Sequence, residues 1–249
     1  MYKKIIQGKK AVFFDLDGTV VKETEDLKIK ALQKVLDDIE ASYINAETYR
    51  FDGYPFRSSW EVILKVNDLA TEKKIDELVD LTNKTYIDMI NKSNMEPTEG
   101  FWDLVYELKE KKQFKLALLT NTAKPVADVV IDKLEIREVF DLIICGDEVK
   151  KIKPNPEIYK KALKSLKLKR QDVTVFEDSL AGVESAAKAK LDIVVIWDRK
   201  TPKYLFKGHI LDYLGDFSAL PGSLDETYLE FMQRRYKEIE EAKKLKKTL

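Results

Sequence analysis

Apolar residues gather in short dense runs at 11–14, 115–119, 141–145, 173–176 and 193–197, each rich in β-branched and aromatic side chains with few polar interruptions. Such runs mark strands buried on both faces of a parallel sheet. Between the later runs, at 101–111, 125–134, 156–166 and 180–189, apolar positions recur at threes and fours and predict helices. Pro125 and Pro156 suit a first helical turn, and Asp178-Ser179 can cap the helix that follows them. Strand alternating with helix predicts a doubly wound, Rossmann-like α/β core with a parallel sheet.

The gap between the first two runs is far too long for one crossover. It repeats helical spacing in Leu27, Ala31, Leu32, Val35, Leu36 and Ile39, and again in Ile75, Leu78, Val79, Thr82, Tyr86 and Ile90. A stretch of that length must bury its own apolar faces, so the sequence predicts an inserted all-helical domain over 23–95, hinged near Lys22 and near 97–100. Residues 1–22 and 96–222 then form the α/β core. The last stretch, 223–249, spaces Leu224, Tyr228, Met232, Tyr236, Ile239, Ala242 and Leu245 as an amphipathic terminal helix, packed on the core or held for a partner.

Composition narrows the partners. Of 249 residues, 44 are Lys or Arg and 44 are Asp or Glu, and this balance argues against nucleic acid and membrane surfaces, which reward a basic excess. The single cysteine, Cys145, can form neither an internal disulfide nor a zinc motif, which fits a reducing compartment. The apolar run behind the four lysines of 1–10 is too short for a signal-peptide core, and none reaches the roughly 18 residues of a membrane span. A cytoplasmic monomer or homodimer is expected.

Chemistry concentrates where the strands end. Asp15 and Asp17 follow the first run directly, at the carboxyl edge where open α/β sheets bind ligands. Thr120-Asn121-Thr122 follows the second run and offers hydroxyl, amide and backbone donors ahead of a helix amino terminus. Lys153 stands between the third and fourth runs, its backbone restrained by Pro154 and Pro156, and Glu177-Asp178 closes the fourth. Taken singly, these are turns, caps and a surface lysine. Taken in order, four carboxylates of one sheet edge require a cation, and an all-oxygen ligand set selects a hard one, Mg²⁺ first. A donor and a lysine beside them suit phosphoryl transfer to a carboxylate nucleophile.

Together, Asp15-x-Asp17-Gly18-Thr19, Thr120, Lys153-Pro154 and Glu177-Asp178 resemble the four motifs of the haloacid dehalogenase superfamily, in its phosphatase branch with a helical cap between the first two motifs. Residues 177–186 closely resemble the fourth motif of the β-phosphoglucomutase-like subgroup. The resemblance covers roughly residues 10–220. It implies that Asp15 is the nucleophile, that Asp17 protonates the leaving oxygen and then deprotonates water, and that Thr120, Asn121 and Lys153 hold the phosphoryl group. It further implies Mg²⁺ ligation by Asp15, the Asp17 carbonyl and Asp178, with Glu177 beside or on the ion. The implied activity is hydrolysis of a small phosphorylated metabolite of the sugar phosphate or phosphoglycolate type. Dehalogenating members lack the second acid, so Asp17 argues against that reaction. Mutases of the subgroup carry a histidine at the position of Leu27, and its absence favours water as acceptor; a phosphomutase remains the alternative. A phosphoryl-accepting signalling module is a third reading, opposed by the insertion and by Asp17.

Residues 51–60 resemble the cap's substrate loop, with Arg57 set to contact a distal anionic or hydroxylated group and Glu23 a second substrate-facing candidate. His209 lies near no motif and reads as structural or surface. Cys145, Trp102 and Trp197 read as packing residues, and Trp60 as core or cap lining.

Overall fold

A computed structural model describes residues 2–39, 55–67 and 74–220, with Phe231, Gln233 and Lys237 beyond them. Six strands form one parallel sheet: β1 (Ala11–Phe14), β2 (Lys115–Leu119), β3 (Leu142–Ile144), β4 (Val173–Glu177), β5 (Asp192–Ile196) and β6 (His209–Leu214). Their order, β3-β2-β1-β4-β5-β6, reverses direction at β1, so the crevice beside β1 is the ligand position of a doubly wound sheet. Registers pairing Phe14 with Leu118 on one side and Phe176 on the other bring the ends of β1, β2 and β4 level.

Period-two alternation divides the sheet residues between two cores. Val12, Phe14, Leu116, Leu118 and Phe176 face α5 (Phe101–Tyr106) and α6 (Lys124–Lys133). Ala11, Phe13, Ala117, Leu119 and Val175 face α7 (Glu157–Ser165) and α8 (Leu180–Lys188). Beneath the carboxyl edge, Phe14 stacks on Phe176 at 5.3 Å between centroids and meets Phe101 and Phe217 edge-on at 5.9 Å. Each such pair contributes about 0.5–1.5 kcal/mol beyond burial, which makes a stiff floor for the site.

Between β1 and β2 run α2 (Glu23–Asp38), α3 (Phe56–Asn67) and α4 (Ile75–Lys92), after the short amino-terminal α1 (Tyr2–Ile6). Their stripes pack as the spacing predicts: Ala31, Leu32, Val35 and Leu36 of α2 and Leu78, Tyr86 and Ile90 of α4 are buried. Trp60 is fully buried and donates to Thr82 Oγ1 at 2.9 Å, a core residue of the helical layer. The two connections to the sheet lie side by side, Thr98 N–H donating to the Val20 carbonyl at 2.7 Å and its hydroxyl to Thr19 O at 2.8 Å.

Some elements differ from the sequence expectation. The last turn of 101–111 widens into a π-turn over Glu107–Lys111. A sixth strand appears at the edge, where His209-Ile-Leu-Asp-Tyr-Leu is only partly buried and so lacks the dense apolar signature of the others. His209 sits on it, exposed, with Nδ1 against Asp192. Residues 51–54 and nearly all of the 223–249 helix lie outside the described residues; Phe231 is buried against Tyr106, with ring centroids 5.4 Å apart. No helix among the described residues is long and apolar enough to cross a membrane.

Candidate active site

At the carboxyl edge of the sheet, Asp15, Asp17, Thr120, Asn121 and Lys153 line one small pocket together with Lys28, Thr122 and Ser179. Asp15 leaves β1 with its amide donating to the Phe176 carbonyl at 3.0 Å, which locks the strand end in place. The chain then turns through Gly18 at φ +81°, where a Cβ would lie 2.0 Å from Asp178 Oδ2. Only glycine fits.

Lys153 is the electrostatic centre. At 2% exposure its ammonium donates to Asp15 Oδ1 (2.5 Å), Glu177 Oε1 (2.6 Å) and the Leu119 carbonyl (2.6 Å), using all three protons. Asn121 fixes its backbone, accepting from Lys153 N–H at 2.8 Å and donating to the Lys153 carbonyl at 3.1 Å. Glu177 is wholly buried and also accepts from the Tyr159 hydroxyl at 2.8 Å and from Ser179 Oγ at 3.3 Å. Gly182 makes room for it, since a Cβ there would stand 2.0 Å from the carboxylate. Ser179 doubles as the cap of α8, accepting from Gly182 N–H at 3.0 Å.

Asp17 is held differently. Its Oδ2 accepts from Thr122 at 2.6 Å and Thr120 at 3.3 Å, while Oδ1 makes no well-aligned hydrogen bond and faces Lys28 at 3.2 Å. The two acids consequently diverge. Burial pushes the Asp15 carboxyl well up, and the charges of Glu177 and Asp17 add to burial enough to outweigh Lys153. Burial also pushes Asp17 up, but Lys28 and the Thr122 hydroxyl more than offset it and hold the group below the ordinary carboxylate range. Asp178, held by Thr19 Oγ1 at 3.0 Å, is raised by burial and by the neighbouring charges of Asp15 and Glu177.

Asp15, Glu177 and Asp178 each place a carboxylate oxygen within 4.8 Å of the others. One lysine among three such acids leaves uncompensated negative charge in a buried place, and only oxygens are offered; the donor set fits a hard divalent cation.

Glu23 and Arg57 stand apart from this cluster. Glu23 is exposed at the start of α2, and Arg57, half exposed on α3, pairs with Asp76 of α4; neither lines the pocket. Cys145 is buried, its thiol pushed up to about 12 by burial, and is inert packing. Sequence reasoning passed over Lys28, Thr122 and Tyr159. Thr122 lay inside a quoted motif, and the Tyr159 position two residues after Glu157 reads simply as helix core. Lys28 gives no motif signal, since one lysine in a charged helical stretch is indistinguishable from a solvated one.

Fold and site together define an α/β enzyme with an acidic, lysine-centred pocket at the switch point of its sheet. The chain belongs to the haloacid dehalogenase-like hydrolases, whose family model matches residues 12–196. A phosphorylated carbohydrates phosphatase of Thermotoga maritima is 31% identical over 183 residues, 73% of this chain and 82% of that protein. A phosphoglycolate phosphatase of Aquifex aeolicus is 27% identical over 183 residues, 72% and 81% of the two chains. In fold the chain is similar to CbbY from Rhodobacter sphaeroides, solved in complex with phosphate, with a TM-score of 0.73 at 24% identity over 86% of this chain and 97% of that one.

Proposed function

We propose that this hydrolase is a Mg²⁺-dependent phosphatase of the cytoplasm acting on a small phosphorylated metabolite of the sugar phosphate or phosphoglycolate type. The observation that carries the reading is the pairing at the end of β1: Asp15 bonded to Lys153 and, two residues on, Asp17 pinned by Thr120 and Thr122. In the first step an Asp15 oxygen bonds to phosphorus as the bond to the leaving oxygen breaks, and the Asp17 carboxyl gives that oxygen its proton. In the second, water bonds to phosphorus, its proton passes to Asp17, and the phosphorus–Asp15 bond breaks to release inorganic phosphate. Lys153, Thr120 and the backbone beside Asn121 hold the phosphoryl oxygens through both steps.

Asp15, Asp178 and the Asp17 carbonyl are the proposed ligands of Mg²⁺, with Glu177 beside or on the ion. The bound ion would supply charge neutralisation for the phosphoryl group and for the crowded acids. Residues 23–95 are read as a cap that excludes water and confines the leaving group. Arg57 and Glu23 remain candidate substrate contacts through that cap.

The test is phosphate release over a panel of phosphomonoesters with Mg²⁺, with Asp15→Asn as the blank. Release from at least one metabolite, lost in Asp15→Asn and reduced about 10²- to 10⁴-fold in Asp17→Asn, is expected. Conversion of one sugar phosphate into its isomer with little free phosphate would instead establish the mutase.

A further inference from the structure

Among the described pocket-lining residues, Lys28 is the one supplied by the inserted helices. It lies in the second turn of α2, and its side chain is 12% exposed. The ammonium stands 3.2 Å from Asp17 Oδ1 and 3.0 Å from Glu25 Oε1, one turn earlier on the same helix. Tyr86 of α4, wholly buried, closes the space behind this group. Asp17 is thereby gripped from two sides. The core holds Oδ2 through Thr122 and Thr120, and the insertion faces Oδ1 through Lys28.

An ammonium in such a pocket has two plausible uses. It can receive a second anionic group of the substrate, or it can fix the acid beside it. The pairing decides between them. Lys28 already answers two carboxylates, so it has no surplus charge to offer a further anion, and its burial resists exchanging those partners for a ligand. Asp17, in contrast, has to stay within hydrogen-bond reach first of a leaving oxygen and then of a water, and displacement by about 1 Å is enough to cost about 10²-fold in rate.

We propose that Lys28 is a positioning residue for Asp17, fixing the orientation of its carboxyl group from the Oδ1 side and making the geometry of the acid depend on α2 being seated against the sheet. Lys28 touches no reacting atom; it works through Asp17. The inference rests on the phosphatase reading above, and it adds a residue from the insertion to machinery otherwise supplied by the sheet.

Leaving groups of different basicity test it. An alkyl phosphate needs Asp17 in both steps, whereas p-nitrophenyl phosphate expels its phenolate without a proton and needs Asp17 only when water attacks. In Lys28→Met, kcat for the alkyl phosphate should fall about 10²-fold with KM changed less than about threefold. With p-nitrophenyl phosphate the same variant should release a burst of nitrophenolate, close to one per active site, and then turn over slowly as phosphorylated Asp15 accumulates. Lys28→Arg should recover most of the alkyl phosphate rate. If Lys28→Met does not fold, Lys28→Gln carries the same comparison. Unchanged kinetics, an equal loss on both substrates without a burst, or a rise in KM at constant kcat for substrates bearing a second anion would each overturn the proposal while leaving the phosphatase reading intact. An unmutated chain no more active than Asp15→Asn would overturn both.

Discussion

Replacing Lys153 by methionine keeps the length of the side chain and removes its charge. Three short hydrogen bonds disappear together, and the Asp15 and Glu177 carboxylates lose the ammonium they share at 2.5 and 2.6 Å. Removing one partner of a buried pair costs about 3–5 kcal/mol, because the other charge stays behind unpaired. Tyr159→Phe is the internal comparison: it removes a single bond to the same Glu177 oxygen and should cost about 1.5–3 kcal/mol. The two changes share an acceptor, so their effects should not add. Urea unfolding in the presence of a chelator measures both, with ΔG read from midpoint and slope. The pH dependence carries a definite sign. With Lys153 gone, the Asp15 carboxyl, already raised by burial, rises further, so the folded variant keeps a proton that the unfolded chain releases. Its stability should therefore increase as pH falls from 7 toward the unfolded carboxylate value of about 4. A Lys153→Met midpoint within about 0.5 kcal/mol of the parent at pH 7 would refute the view of Lys153 as the counter-ion on which this pocket depends.

Gly18→Ala places a Cβ 2.0 Å from Asp178 Oδ2 at a left-handed φ, so it should destabilise by more than about 1 kcal/mol in thermal melts and abolish turnover. Ser179→Ala removes the cap of α8 and a donor to Glu177; a loss of about 1–2 kcal/mol is expected, again from urea unfolding. Asp192, at the opposite edge of the sheet, is pushed up by burial but brought below its ordinary value by hydrogen bonds from Lys9 and His209. A depressed carboxylate stabilises above its unfolded pKa and stops doing so as pH falls through the folded one, so the parent should exceed Asp192→Asn in melting temperature at pH 6, with the gap closing below about pH 4.

The reading of the chain succeeded where one physical requirement dominates a segment. Strands buried on both faces must be apolar throughout, and β1 to β5 were visible for that reason; β6 was not, because half-exposed His209-Ile-Leu-Asp-Tyr-Leu satisfies no single period. Asp15, Asp17, Thr120, Asn121, Lys153, Glu177 and Asp178 were legible as one candidate group because they stand at or just beyond the carboxyl ends of successive strands, and the fold brings them to one edge of the sheet. The partners that tune them were not found. Tyr159 meets Glu177, and Lys28 meets Asp17, across separations that no local pattern encodes. Arg57, singled out as a candidate substrate contact, pairs with Asp76 on the surface of the helical layer.

Equal totals of acids and bases conceal how unevenly the pocket divides them. Asp15 and Asp17 are two residues apart and chemically identical, yet burial with neighbouring carboxylates raises the first, while Lys28 and the Thr122 hydroxyl bring the second below its ordinary range. The difference lies in their companions. Asp17 has Lys28 and two threonine hydroxyls, whereas Asp15 shares Lys153 with Glu177 and faces Asp178 as well. The proposed nucleophile attacks as the carboxylate, and a positive charge among Asp15, Glu177 and Asp178 would favour that form. On the proposed reading a cation would favour the ionised nucleophile, and Lys28 of the inserted helix would orient the acid beside it.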